Sequence, residues 1–341
     1  MNHVAIDLGG RESQVCARRP DGTIVEEKKV ATRRLPDVMK GWPQSRVIVE
    51  TSAEAFHIAD AAQAHGHEVR VVPATLVKTL GVGSRGVKND RRDARILSEV
   101  SCRIEMPSVH VPSTMARELK WLCGTREALV ETRTKLINNA RGWLRTQLWR
   151  IGKGAIGTFA ARVRAHAATH KQQLPEHVER LLGLIEQVHA QVRQADNQVQ
   201  RIACDHSVCR RLMTVPGVGP VTAVRFLAAI DEAKRFPNAH ALESYLGLTP
   251  GEDSSSERER RTAITKAGPT ELRRTLVQAA WTAFRTQPTE PMVAWATQVA
   301  ARRGKFIAIV ALARKMAGIL FALWRDGTVY RPAASTEKMA S

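Results

Sequence analysis

Near residue 110 the apolar periodicity of this 341-residue chain changes, and that change limits the folds open to it. Upstream, short apolar runs separated by turn residues predict strands and an α/β domain over residues 1–105. Residues 4–6, 13–18 and 23–30 read as a three-strand meander, with Pro20-Asp21-Gly22 as one of its turns. Residues 46–49 and 68–72 read as two more buried strands on either side of a helix over 53–65, and another helix starts near Asn89 and runs to about Val100. Downstream, over 111–205, strand signals vanish. Leu122, Leu129, Leu136 and Trp143 recur every seven residues, and Val178, Leu181, Ile185, Val188, Val192, Ala195, Val199 and Ile202 alternate steps of three and four. The second series is a coiled-coil seam of about 37 Å, able to pair within one chain or between chains. A mostly α-helical C-terminal domain is expected over 206–331, with a disordered tail at 332–341.

Lys and Arg number 52 against 33 Asp and Glu, a net charge of +19 with a pI near 10.5. A charge that large calls for a polyanionic partner, and nucleic acid is the usual one, because each cation set on a phosphate releases condensed counterions. Arg126, Arg133, Lys135, Arg141 and Arg145, all on the first long helix, are assigned to nucleic-acid contact. Five cysteines form no CxxC pair and no disulfide-like framework, which fits a reducing cytoplasm. Cys204, His206 and Cys209 are neighbours without a fourth ligand, so buried thiols explain them better than a metal site. The start, MNHVAIDLGG, lacks the basic and apolar regions of a signal peptide. The apolar run 306–324 carries Arg314 and Lys315 at its centre, which favours a buried or RNA-facing helix over a membrane span.

Four acids stand where a strand interior would reject them or where they share a helix face. Asp7 closes the first strand, Glu50 closes the strand at 46–49, and Asp90 and Asp93 lie three apart on the following helix. Carboxylates gathered this way suit hard divalent cations such as Mg²⁺, and two such ions can stabilise both oxygens of a phosphoryl displacement. In this strand order they resemble the four-acid site of RuvC-like, RNase H-fold nucleases. Further on, Val215-Pro216-Gly217-Val218-Gly219-Pro220 is either a backbone phosphate binder of the helix-hairpin-helix kind, through Gly217 and Gly219, or a tight turn that needs glycine for geometry alone. Residues 251–256, with Ser254, Ser255 and Ser256, read as a polar loop followed by Arg260, Arg261, Lys266, Arg273 and Arg274. A hydroxyl attacks a phosphodiester when a base or metal takes its proton and cations receive the phosphate charge. Those basic residues meet the second need, and the acids meet the first if the fold brings them close.

Taken in order, these motifs resemble a known family. Ala5-Ile6-Asp7, Val49-Glu50-Thr51, Lys88-Asn89-Asp90 with Asp93-Ala94, Pro216-Gly217-Val218-Gly219-Pro220, Gly247-Leu248-Thr249-Pro250, the serine loop and Lys266-Ala267-Gly268 look like the DEDD/serine transposases of the insertion-sequence family one-ten, relatives of the Piv-type DNA invertases. The likeness spans about residues 4–330. It implies a RuvC-like domain, a coiled-coil middle and a C-terminal transposase domain, working as a dimer of dimers on the DNA of element ends and target. It also implies guidance by a structured non-coding bridge RNA. By position, Asp7, Glu50, Asp90 and Asp93 would bind Mg²⁺ and Ser255 would be the nucleophile. The family's serine precedes a glycine where Ser256 stands here, so a shifted register would make Ser254 or Ser256 the nucleophile. Thr51-Ser52-Ala53 likewise lacks the glycine usual after the second acid.

The expected reaction is attack of Ser255 on a DNA phosphate, giving a covalent phosphoserine link that retains the bond energy for rejoining. Two other readings compete. A hydrolytic junction-resolving nuclease would use the acids and water alone, and a catalytically silent nucleic-acid-binding protein would use neither.

Overall fold

In the computed structural model, which describes residues 1–79, 90–255 and 258–332, alternation along the N-terminal strands sets the architecture of the first unit, Met1–Pro112. β1 (Asn2–Asp7), β2 (Glu12–Arg18) and β3 (Ile24–Ala31) form the expected antiparallel meander. A short helix, α1 (Leu35–Met39), leads to β4 (Ser45–Glu50), then α2 (Ala55–Ala64), β5 (Glu68–Val72), α3 (Ala74–Thr79) and α4 (Asp90–Arg103). The sheet order is β3-β2-β1-β4-β5, with β1, β4 and β5 parallel. This is the mixed α/β arrangement that the strand pattern predicts.

Because side chains alternate across a strand, the sheet has two apolar faces. Val4, Ile6, Val47, Val49 and Val71 pack on Leu35 and Met39 of α1 and on Ile58 and Ala59 of α2. Ala5, Ile48 and Val72 pack on the opposite side, against Val77 of α3 and Leu97 of α4. Burial on both faces explains why β4 reads as an unbroken apolar run, as parallel strands do.

The second unit, Ser113–Ser341, contains both the helical middle and the C-terminal region, which the sequence suggested as separate domains 111–205 and 206–331. Its elements are α5 (Thr114–Thr146), α6 (Phe159–Thr169), α7 (Glu176–Asp205), α8 (Ser207–Leu212), α9 (Pro220–Ile230), α10 (Ala239–Tyr245), β6 (Pro250–Ser255), β7 (Arg258–Ile264), α11 (Thr270–Thr286), α12 (Pro291–Arg303) and α13 (Lys305–Asp326). α5 and α7 lie antiparallel: Arg126 meets Asp196, and Arg133 meets His189. Ile137 and Leu144 of α5 join Val178, Leu182 and Ile185 of α7 and Phe159 of α6 in one core. At the other end, Leu119 and Cys123 with Val199 and Ala203 merge into the large core of α8–α13, so the two long helices and the C-terminal helices share their packing.

The heptad series divides by depth. Val178, Ile185, Val192 and Val199 are buried, whereas Leu181, Val188, Ala195 and Ile202 are half-buried, as are Leu122, Leu129, Leu136 and Trp143 on α5. Each helix therefore turns one edge of its stripe inward and leaves the other along the flank. α13 is long and apolar enough to cross a membrane, yet half of that stretch is inside the protein. Leu312, Met316, Leu320 and Phe321 lie in the core, Arg314 pairs with Glu243, and Lys315 sits over the Trp295 ring at 4.5 Å.

Candidate active site

Register places the N-terminal acids. Ile6 pairs with Val49 across the parallel β1 and β4, so Asp7 and Glu50 follow side by side at the C-terminal ends of neighbouring strands, which run about 4.8 Å apart. Both share parity with Ala5 and Ile48, whose side chains face α4. Asp93 lies one turn before Leu97 on the face of α4 that packs on the sheet and is 7% exposed. Asp90 is the first residue of α4, one turn ahead of Asp93; its side chain lies outside the described residues.

Asp93 Oδ1 is buried and has no hydrogen-bond partner among the described residues. A carboxylate oxygen stripped of water and given no donor is costly, and a cation would remove that cost. The donor set, carboxylates alone, also suits a hard divalent ion. Among the described residues no three acids, histidines or cysteines stand close enough to hold an ion as they are. Three of the four acids thus share one side of the sheet without closing on a common point.

Polar contacts fasten α4 there. Glu27 of β3 takes hydrogen bonds from both Arg95 and Arg91, at 2.6 Å from Arg95 Nη2 and 2.8 Å from Arg91 Nη2. The Arg95 guanidinium, with Arg91 beside it, holds the Glu27 carboxyl at about 2 although burial pushes the other way. Arg18 Nε donates to Ser98 Oγ at 3.0 Å, and His3 Nδ1 lies 2.7 Å from Ser101 Oγ. None of these residues was singled out from sequence. The available signal was Arg91 and Arg95 four apart on a helix that also carries Asp90 and Asp93.

The serine segment is not the loop that its composition suggests. β6 and β7 form an antiparallel hairpin in which Glu252 stands opposite Arg261, Asp253 opposite Arg260, Ser254 opposite Glu259 and Ser255 opposite Arg258. The segment has no apolar alternation to reveal the hairpin, and its backbone register alone defines the pairing. Ser255 is the last residue of β6; Ser256 lies outside the described residues, as do the side chains of Ser254, Ser255, Arg260 and Arg261. Two glycine turns interlock at the hairpin base. Lys266 N–H donates to the Gly247 carbonyl at 3.2 Å and Thr265 N–H to the Thr249 carbonyl at 3.0 Å. Gly268 has φ +70°, and a Cβ there would run into the Tyr245 carbonyl oxygen.

Several residues assigned to nucleic acid are committed within the protein. Arg273 is the clearest correction: it is 9% exposed and donates to the carbonyls of Leu246 at 3.1 Å and Ala267 at 2.7 Å, fastening the two turns together. Arg126 pairs with Asp196 at 2.7 Å, Arg133 lies 3.0 Å from His189 Nδ1, and Arg274 pairs with Glu127 at 2.9 Å and with Glu271. Lys135, Arg141, Arg145 and Lys266 are exposed, Lys266 with a left-handed φ of 56°. Gly217 has φ +83° and abuts the Ala279 carbonyl and Ala283 of α11, so close helix packing requires the glycine there; Gly219 has open space around its Cα. Cys209 is buried, as the sequence reading expects, which pushes its thiol up to about 12, whereas Cys204 is exposed and departs from that reading.

Comparison with known proteins shows what the chain is similar to. Residues 4–147 match the DEDD transposase domain model of IS110 elements, and residues 209–292 match the model described as the transposase IS116/IS110/IS902 family. A Pseudomonas aeruginosa protein named a probable family 20 transposase is 28% identical over 339 residues, covering 97% of this chain and 99% of its own. The transposase for insertion sequence element IS1111A of Coxiella burnetii is 26% identical over 335 residues, covering 96% and 91%. That of element IS1328 of Yersinia enterocolitica is 24% identical over 333 residues, covering 96% and 98%.

Proposed function

The chain belongs to the IS110/IS116/IS902 transposases and is an enzyme of DNA transposition, and from that premise we propose that it cuts and rejoins DNA through Ser255, with Asp7, Glu50, Asp90 and Asp93 holding divalent metal. One observation carries the metal assignment: Asp93 keeps a buried carboxylate oxygen without a donor among the described residues, on the face of the RuvC-like sheet that Asp7 and Glu50 share. DEDD transposase domains normally use a divalent metal. Mg²⁺ bound there would polarise a DNA phosphate. Ser255 Oγ forms a bond to phosphorus as its proton passes to water, while the bond from phosphorus to the deoxyribose oxygen breaks and that oxygen takes a proton from water. The resulting phosphoserine keeps the phosphodiester energy, so the reverse attack by a second strand's hydroxyl reseals DNA without ATP.

The finer parts of the reading follow the family resemblance. Exposed Lys135, Arg141 and Arg145 on α5 provide cations for nucleic acid, including a bridge RNA. The half-buried edge of the heptads offers a face for pairing between chains, toward a dimer of dimers working in the cytoplasm.

A nicked, labelled DNA substrate tests the proposal. With Mg²⁺ the native protein should leave a denaturation-resistant protein–DNA adduct whose labelled peptide contains Ser255, and Ser255→Ala should lose it. Continued cleavage by Ser255→Ala without adduct would instead identify a water-using nuclease. Unchanged cleavage in Asp93→Asn would remove the metal assignment.

A further inference from the structure

At the corner between α12 and α13 the run Arg302-Arg303-Gly304-Lys305-Phe306 exposes three cations and an aromatic ring. Gly304 makes the corner possible, with φ 87° and ψ 155°, a conformation essentially restricted to glycine. Phe306 is 79% exposed and meets Trp281 of α11 edge to face, with centroids 6.0 Å apart and planes at 77°. Trp281 makes a similar edge contact with Phe284, and Lys305 Nζ lies 5.2 Å and 5.5 Å from the centroids of those two rings. Arg285, Arg302 and Arg303 are exposed around them. Among the described residues none of these cations forms an ion pair, whereas Arg126, Arg164, Arg225, Arg274 and Arg314 of the same unit each hold a carboxylate.

A ring left this open, beside cations with no acids to neutralise them, suits a ligand that offers both a flat π-face and negative charge. We propose that this corner binds unpaired nucleotides, a base stacking on Phe306 while its phosphates meet Lys305, Arg302, Arg303 and Arg285. Duplex DNA fits less well, because paired bases hide their faces in the stack and would leave the ring idle. The inference rests on the chain's action on nucleic acid, but it uses none of the four acids and not the serine. It concerns strands opened during the reaction, whether DNA or RNA, since both present the same base face and phosphate.

The test is equilibrium binding of full-length protein to a labelled 12-nucleotide single-stranded DNA, the RNA of the same sequence, and the matching duplex. Phe306→Ala should weaken binding to at least one single strand by roughly tenfold, as loss of one base–aromatic stack does, with less than about twofold change on the duplex. The strand that loses affinity names the source. Phe306→Trp should restore it, and Arg302→Gln with Arg303→Gln should flatten the single-strand salt dependence by about one unit of slope. Binding is measured in EDTA, which keeps the four acids out of the readout, so a failure of the metal reading leaves this one standing. Native affinity of Phe306→Ala for both single strands overturns the proposal, as does an equal loss on duplex. So does loss by Phe306→Ala of sedimentation with phosphatidylglycerol/phosphatidylcholine vesicles while strand binding is unchanged.

Discussion

Both carboxylate oxygens of Glu27 are engaged by guanidinium groups of α4, and this one residue links the outer strand of the sheet to the helix that carries Asp90 and Asp93. Its folded-state value of about 2 lies below the ordinary 4.5. The link therefore contributes full stability above about pH 4.5 and loses it as the pH falls toward 2. Because Arg95 and Arg91 are 43% and 59% exposed, solvent screens the pair, and Glu27→Gln should cost about 1–2 kcal/mol at pH 7. Urea unfolding of the native protein and Glu27→Gln should show the difference shrinking between pH 4.5 and pH 3; a constant difference would mean that the carboxylate's charge is not what fastens α4. Arg225 is a second unforeseen residue. It is 5% exposed, holds Glu127 at 3.2 Å and donates to the Cys123 carbonyl at 3.2 Å. Such cations inflate the net charge that pointed to nucleic acid while serving the interior.

The β6–β7 hairpin depends on what closes its base more than on its own sequence. Gly268 stands at φ +70° against the Tyr245 carbonyl, and Arg273 bridges the two turns. Gly268→Ala should destabilise the protein by at least about 2 kcal/mol, through the left-handed φ and the clash, and should lower strand cleavage with it. Gly183 offers the opposite case: it lies inside α7 with open space where a methyl group would stand. Gly183→Ala should stabilise by about 0.5–1 kcal/mol through helix propensity. Equal denaturation midpoints for the two variants would refute this account of the hairpin base. The heptads belong to the same scale. Their spacing defined two long helices, while the depth of each stripe came from how α5 and α7 turn toward one another.

Across the whole molecule the +19 charge predicts a steep salt dependence of DNA binding. If six or more phosphates are neutralised, log K should fall with log salt at a slope of about −5 or steeper. A slope shallower than about −2 in a filter-binding titration would show that internal ion pairs consume most of the positive charge. Arg225 and Arg273 are buried, and Arg126 and Arg274 are held by carboxylates of the same unit. The strands, the long helices and the acids at strand ends were legible in the sequence, because alternation and heptad spacing are local properties that each segment carries alone. Tertiary structure decided the rest: which face Asp7 and Glu50 share with Asp93, that residues 250–264 pair as a hairpin, and which arginines are spent inside. Those outcomes depend on register and packing between segments far apart in the chain, and no local period encodes them.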